Sequence, residues 1–510
     1  MRRKALALAA ALTAALAAGT AAAGAPRFVP VPVPSHVYDG GWEHFVGGGV
    51  AAFDCDGDAR PELYAAGGTT PATLLRNIPG PGLRFEADTP PALALTGVTG
   101  AYPLDVDGDG RLDLAILRVG PDILLRGLPD CGFEPFPGAL GFTSGDHWTT
   151  AFSATWEGEA ARPTLAFGTY VDRADPKGPF EACDAPLLYR PEGGAYGPPI
   201  TLAPGYCALS LLFSDWSRSG RADLRVSNDR HYYVRGGQEQ MWAMEAAPRL
   251  YTEEEGWAEY ALWGMGIASR DLDQDGFPEL YLTSMGDQKL QLFDGDPARP
   301  HWREARWERG ATAHRPHAGG DGRPSTGWHA AFGDVDNDGL DDIFVAKGNV
   351  EQMPDAAMED PNSLLLQRPD GTFAEASVAA GVASMARGRG AALVDLDNDG
   401  RLDLAVVNRR APMEVWRNVT EGGGWLLVEA SQPGPNPDAV GAVIEVKAAG
   451  RLHTREITVG GGHAGGHAGF QHFGLGDAKA AQLRITWPGG ETTAWQEARP
   501  NAVLRLSRTR

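Results

Sequence analysis

The chain has 510 residues, 43% of them apolar, with 67 Gly, 38 Pro and a formal net charge of -21. The length exceeds one ordinary domain, and the acidic balance excludes a nucleic-acid binder, which needs basic patches. The apolar content is enough for a large core, and so much Gly and Pro suits a chain with many turns.

Residues 1–23 read as a signal peptide. Arg2, Arg3 and Lys4 form a basic start, Ala5 to Ala18 a short apolar run, and Ala21 to Ala23 a small-residue cleavage site. The run is too short for a comfortable membrane span, and the first cysteine after it is Cys55. The expectation is an exported protein, periplasmic or extracellular, with no membrane span. A Pro-rich lead-in follows, and Trp42 to Val46 is the expected terminal strand that completes the last blade of a ring.

An acidic loop then recurs. It reads Asp54/Asp56/Asp58/Glu62, then Asp105/Asp107/Asp109/Asp113. Trp156 to Thr164 is a copy that has lost its acids, aligned through a shared Ala-Arg-Pro. Asp215 to Asp223 is a worn copy with Ser217 and Ser219 in place of acids. Three full copies follow, at Asp271/Asp273/Asp275/Glu279, Asp334/Asp336/Asp338/Asp342 and Asp395/Asp397/Asp399/Asp403. The repeat length is 51 to 63 residues. Ca2+ takes six to eight oxygen ligands in a flexible cage, and alternating acids at positions 1, 3, 5 and 9 of a tight loop can supply them. In the sixth copy Gly339 at position 6 allows the sharp turn. The flanks are strand-like, as in Val50 to Phe53 before a loop and Leu402 to Val407 after one. An EF-hand would need helical flanks and a Glu at position 12, where Val345 and Val406 stand. Seven short-stranded repeats predict an all-β fold: a seven-bladed β-propeller over residues 27–418 with five Ca2+ loops. The third strand often ends in Arg-Asn, as at Arg76-Asn77 and Arg417-Asn418.

Three clusters interrupt the repeats, at Asn228 to Met244, at 311–329 and at Lys347 to Met353. Polar groups mixed with aromatics on loops suit a ligand face; they suit equally the capping of blades. Four cysteines allow three pairings in an exported protein. Cys183 with Cys207 is favoured by proximity, and free buried thiols are the alternative. No Cys-x-x-Cys is present, which leaves no zinc reading.

Residues 419–424 read as a Gly-rich linker and 425–508 as a small all-β domain. Its expected strands are Trp425 to Ala430, Ala442 to Ala448, His453 to Val459, Gln482 to Trp487 and Ala502 to Leu506. The run Gly460 to Gly469 carries His463 and His467, with His472 beyond. It is too Gly-rich for a helix, so a flexible loop is preferred over a transition-metal site.

The repeats resemble the FG-GAP/VCBS repeats of integrin-α-like propellers. The segments Gly264 to Ser269, Thr283 to Leu290, Lys347 to Met353, Phe473 to Gly476 and Trp487 to Gly490 resemble bacterial members of the cartilage acidic protein family. That resemblance implies a propeller followed by an ASPIC/UnbV domain. No nucleophile elbow, zincin motif or phosphate loop is present. The paired acids could suggest glycosidase chemistry, but they are taken up as metal ligands. The expected function is a non-enzymatic, Ca2+-stabilised binding or adhesion protein with an extracellular glycan or protein ligand. The alternative is a secreted hydrolase or lyase acting on polysaccharide, with His231, Arg235 and His329 at work.

Overall fold

The computed structural model describes residues 24–176, 178–179, 181–229 and 237–509. The expected signal peptide lies outside them, as do His231 and Arg235. What is described is nearly all β.

Each repeat folds as a four-stranded antiparallel unit. The residue before loop position 1 faces position 9 in all seven: Phe53 faces Glu62, Leu104 faces Asp113, and so on to Val394 facing Asp403. The loop therefore sets the register of the hairpin it closes. The second and third units join into one eight-stranded sheet through His147 on Gly120 and Trp148 on Val119. Each first strand touches the next, and Arg387–Val394 touches Val50–Phe53, which closes the circuit into a propeller-like ring. First strands crowded against neighbours on both faces are mostly buried, and Val50–Phe53 and Val98–Leu104 wholly so.

The strand that completes the last unit is Phe28–Val31, paired antiparallel with Glu414–Asn418. Trp42 to Val46 does not do this; Trp42–His44 is a single 3-10 turn. A Val-Pro run looks unlike a strand, yet proline is tolerated on an edge strand whose N–H groups face outward. Cys183 is bonded to Cys207, and Cys55 to Cys131, tying loop one to the second unit.

The C-terminal residues form two small sheets. One carries Gln471–Gly476, Gly424–Ser431 and Ala502–Ser507; the other carries Arg451–Glu456, Val443–Ala448, Ala481–Thr486 and Gln496–Ala498. They enclose Leu426, Val428, Ile444, Phe473, Leu475, Ile485 and Trp487. Gln471–Gly476 escaped the sequence reading because its two glycines weaken the strand pattern.

The Gly-rich run is not a flexible loop. Residues 459–468 enter the ring and bond to the first strands of five units in turn. Val459 C=O accepts from Ala154 N–H at 3.1 Å, Gly461 N–H donates to Leu211 C=O at 2.7 Å, and Gly462 N–H donates to Ile267 C=O at 2.7 Å. Ala464 C=O accepts from Ala101 N–H at 3.2 Å, and Ala468 N–H donates to Ala52 C=O at 3.1 Å. A Cβ on Gly49 or Gly100 would lie 1.7 or 1.8 Å from Ala464 C=O. Glycine on both sides is what lets this segment pass through the middle of the ring. The segment 419–424 is also held: Val419 N–H donates to Arg27 C=O at 2.8 Å, and Gly422 and Gly423 lie against loop six.

Candidate metal loops

All the acidic loops lie at one end of the ring, between first and second strands. Positions 4 and 6 both take a left-handed backbone, as at Asn337 and Gly339 (φ 57° and 85°) or Gln274 and Gly276 (φ 68° and 93°). These two bends turn the intervening side chains toward one point.

The positions have distinct work. Position 1 holds the loop backbone: Asp54 accepts from Gly57 and Ala59 N–H at 2.7 Å each, and Asp334 accepts from Asp338 and Gly339 N–H at 3.0 and 2.7 Å. Position 9 joins strands: Asp403 accepts from Leu396 N–H at 3.0 Å and from Asn418 N–H at 2.8 Å. Glu62, Asp113, Glu279 and Asp342 do the same. Position 5 accepts from the N–H two residues on, as Asp58, Asp109, Asp275, Asp338 and Asp399 all do.

Position 3 is different. Oδ1 of Asp107, Asp336 and Asp397 is buried and has no hydrogen-bond partner among the described residues. Carboxylate oxygens of Asp54, Asp56 and Asp58 lie within 4.8 Å of one another, as do those of Asp105, Asp107 and Asp113, of Asp271, Asp273 and Glu279, and of Asp334, Asp336 and Asp342. A buried oxygen left bare beside other carboxylates fits a hard cation, so the residues present fit the group that their spacing implies. Burial pushes Glu62, Asp113 and Glu279 up to about 8, Asp395 to about 7 and Asp336 to about 6, with neighbouring carboxylates adding to the rise.

Arginines complete the picture, and the sequence reading missed them. Arg126 donates to Asp107 and Asp109 at 2.7 and 2.8 Å, Arg417 to Asp397 and Asp399 at 2.8 and 2.9 Å, and Arg76 to Asp56 at 2.7 Å. Each precedes the residue whose N–H reaches position 9. The Arg-Asn ending of the third strand was therefore the visible signal for two of them. Leu292 and Leu366 stand at that place in repeats five and six. In repeat three Arg190 forks onto Glu157 at 2.8 and 2.8 Å, and Thr164 donates to the same carboxylate. In repeat four Arg221 sits on Asp223 at 2.9 Å. A guanidinium thus stands beside Glu157 in repeat three and Asp223 in repeat four.

The described residues of the three interrupting clusters include several tied into the fold. Lys347 forms a fully buried ion pair with Asp360 at 3.0 Å, and Asp229 accepts from Tyr170 OH at 2.6 Å. Trp328 is buried between Arg389, 4.0 Å from its ring, and His463. His329 accepts the His463 N–H at 3.0 Å on the ring axis. Ser377 Oγ, His317 Nε2 and Glu375 stand in the order of a catalytic triad, at 2.8 and 3.3 Å. Ser377 is fully buried, so no substrate reaches its hydroxyl. His463, His467 and His472 are not gathered into one site. At the end of the ring away from the acidic loops is a cavity of about 380 Å³ lined by Trp42, Phe45, Met265, Met285, Trp328 and Met353 among others.

The FG-GAP-like repeat family model matches residues 54–116, 271–345 and 350–406, and the ASPIC and UnbV model matches 432–510. Cartilage acidic protein 1 of Mus musculus is 25% identical over 251 residues, 48% of this chain and 37% of that protein. Its Xenopus tropicalis counterpart is 32% identical over 129 residues, 24% of this chain and 20% of that one. The chain spans well under half the length of these relatives. Among solved structures, an Agrocybe aegerita lectin recognising terminal N-acetylglucosamine aligns with 69% of this chain and 79% of its own, at 13% identity and TM-score 0.38.

Proposed function

We propose that this chain, a ring of FG-GAP-like repeats carrying an ASPIC/UnbV domain, is an extracellular binding protein of adhesion type whose loops are held by Ca2+. The observation that carries the reading is the state of the acids. Position 1 and position 9 carboxylates are bonded to backbone, and in loops two, six and seven a position 3 oxygen, on Asp107, Asp336 and Asp397, is buried and bare. That is how a scaffold holds a cation. A working acid and base would instead flank an open cleft. Ca2+ would take oxygens from positions 1, 3, 5 and 9 of repeats one, two, five, six and seven. When bound it supplies charge balance that lets buried carboxylates stay ionised. Two disulfides support an oxidising compartment, periplasmic or extracellular.

The acidic end of the ring carries the C-terminal domain, and the opposite end offers an aromatic and Met-lined cavity. This supports a ligand face on the opposite end, for a glycan or an extracellular protein. Glycan and protein arrays probed with and without Ca2+ test it. Binding that Trp42→Ala weakens is expected. Turnover of a polysaccharide into new ends or unsaturated product would replace this reading with the enzymatic one.

A further inference from the structure

The C-terminal domain lies directly over loops six and seven. Its strand Gln471–Gly476 crosses loop six: Gly476 N–H donates to Asn337 C=O at 2.9 Å, and a Cβ on Gly474 would fall 1.7 Å from Asp334 Oδ2. Arg451 donates to Gly339 C=O at 2.7 Å, and Arg455 forks onto Asp341 at 2.8 and 2.9 Å. Loop seven is capped by Trp425, whose ring lies 1.9 Å from where a Gly400 Cβ would be, and by His472 Nε2 on Gly400 C=O at 3.1 Å. Asn337 Nδ2 donates to that same carbonyl at 3.0 Å, so the two loops are tied together under one cover. Beneath it the Asp397 side chain is only 4% exposed, with Oδ1 unpartnered. Loop one contrasts with this: Asp58 is exposed, and Gly57 faces open space.

We propose that the C-terminal domain is a lid over loops six and seven, so that divalent cations held there are occluded and exchange only when the domain lifts. The inference rests on the cation reading of the loops. A cation can leave an enclosed site only through local opening, so its exit is limited by how often the cover opens. Coupling between two such events is reciprocal: a domain that retains the cations is itself held down by them. The contacts explain why. Asp334 and Asn337 lie in the loop that a cation would order, and the domain docks on that loop's backbone rather than on remote surface.

The test uses the full chain loaded with Ca2+ and mixed rapidly with excess fluorescent chelator. The expected record is a fast phase from open loops such as loop one and a slow phase that includes the ions of loops six and seven, about tenfold slower or more. Trp425→Ala should move one slow ion into the fast phase, and Arg451→Ala, which removes the bond to Gly339 C=O, the other, with the total bound unchanged. Hydrogen exchange of residues 471–476 in the unmutated chain gives the second answer. Those amides should be protected with Ca2+ and exchange faster with chelator. Bound ions that all leave in one fast phase would overturn the lid alone. So would a slow phase that Trp425→Ala leaves untouched, or amides indifferent to Ca2+. A chain that binds no ions would overturn the cation reading, and the lid with it.

Discussion

At the scale of single residues, two carboxylates at equivalent loops should behave in opposite ways. Asp336 sits at position 3 of loop six with a bare, buried oxygen. Two carboxylates roughly 4 Å apart repel by about 4 kcal/mol at an effective dielectric of about 20. Asp336→Ala should remove most of what Ca2+ contributes there, about 2.7 kcal/mol at a hundredfold excess over its dissociation constant. In chelator the same change should cost little or stabilise, because a like charge is gone. Glu157, in repeat three, already has its cation in Arg190. Glu157→Ala should cost about 1 kcal/mol for a partly exposed pair, equally with Ca2+ and with chelator. Thermal melts of both variants under both conditions check this; a Ca2+-dependent loss in Glu157→Ala would contradict it. The acids at positions 1, 3, 5 and 9 were legible in the sequence because their spacing is regular. Arg190 and Arg126 were not. They come from a strand 17 to 33 residues further on, and only pairing brings that strand alongside the loop.

At the scale of elements, the decisive segment is the one through the ring. His463 Nδ1–H reaches Met265 C=O at 3.3 Å, and its Nε2 accepts from Gly47 N–H at 3.2 Å, so the ring is held neutral. Burial pushes His463 down to about 4 and His329 to about 3, with Arg389 adding to the fall at His463. Their folded values lie below an unfolded value near 6.5. Their contribution is therefore whole above about pH 6.5 and is lost as pH falls through the folded values, by up to about 1.4 kcal/mol per pH unit for each. Melts at saturating Ca2+ between pH 7 and 4 should show this slope, and His463→Gln should flatten it. An unchanged slope in that variant would remove His463 from the account. Gly100→Ala should destabilise by about 1–3 kcal/mol, since its Cβ meets backbone that cannot step aside. Gly138→Ala, with nothing within 4 Å, should not. The sequence marked this run as non-helical correctly and as loose wrongly. Glycine reads as freedom in isolation, but here it permits backbone to pack against backbone.

At the scale of the whole molecule, ring, axial segment and C-terminal domain form one interlocked unit. A chain nicked between Glu421 and Gly422 should elute as one particle, because residues 459–468 remain bonded inside the ring. Two separate peaks would contradict that. A run of FG-GAP-like repeats followed by an ASPIC/UnbV domain could be read from the sequence. The interlock could not, because it joins positions hundreds of residues apart with no charge or motif to announce it. On the proposed reading, cations in its loops add to the stability of this unit, and ion counting under paired melts addresses that directly. After dialysis against trace Ca2+, five ions per chain should remain, one for each full acidic loop. Chelator should then lower the melting temperature sharply, and added Ca2+ should restore it. Two or fewer ions per chain, or equal melting temperatures with Ca2+ and with chelator, would contradict the account.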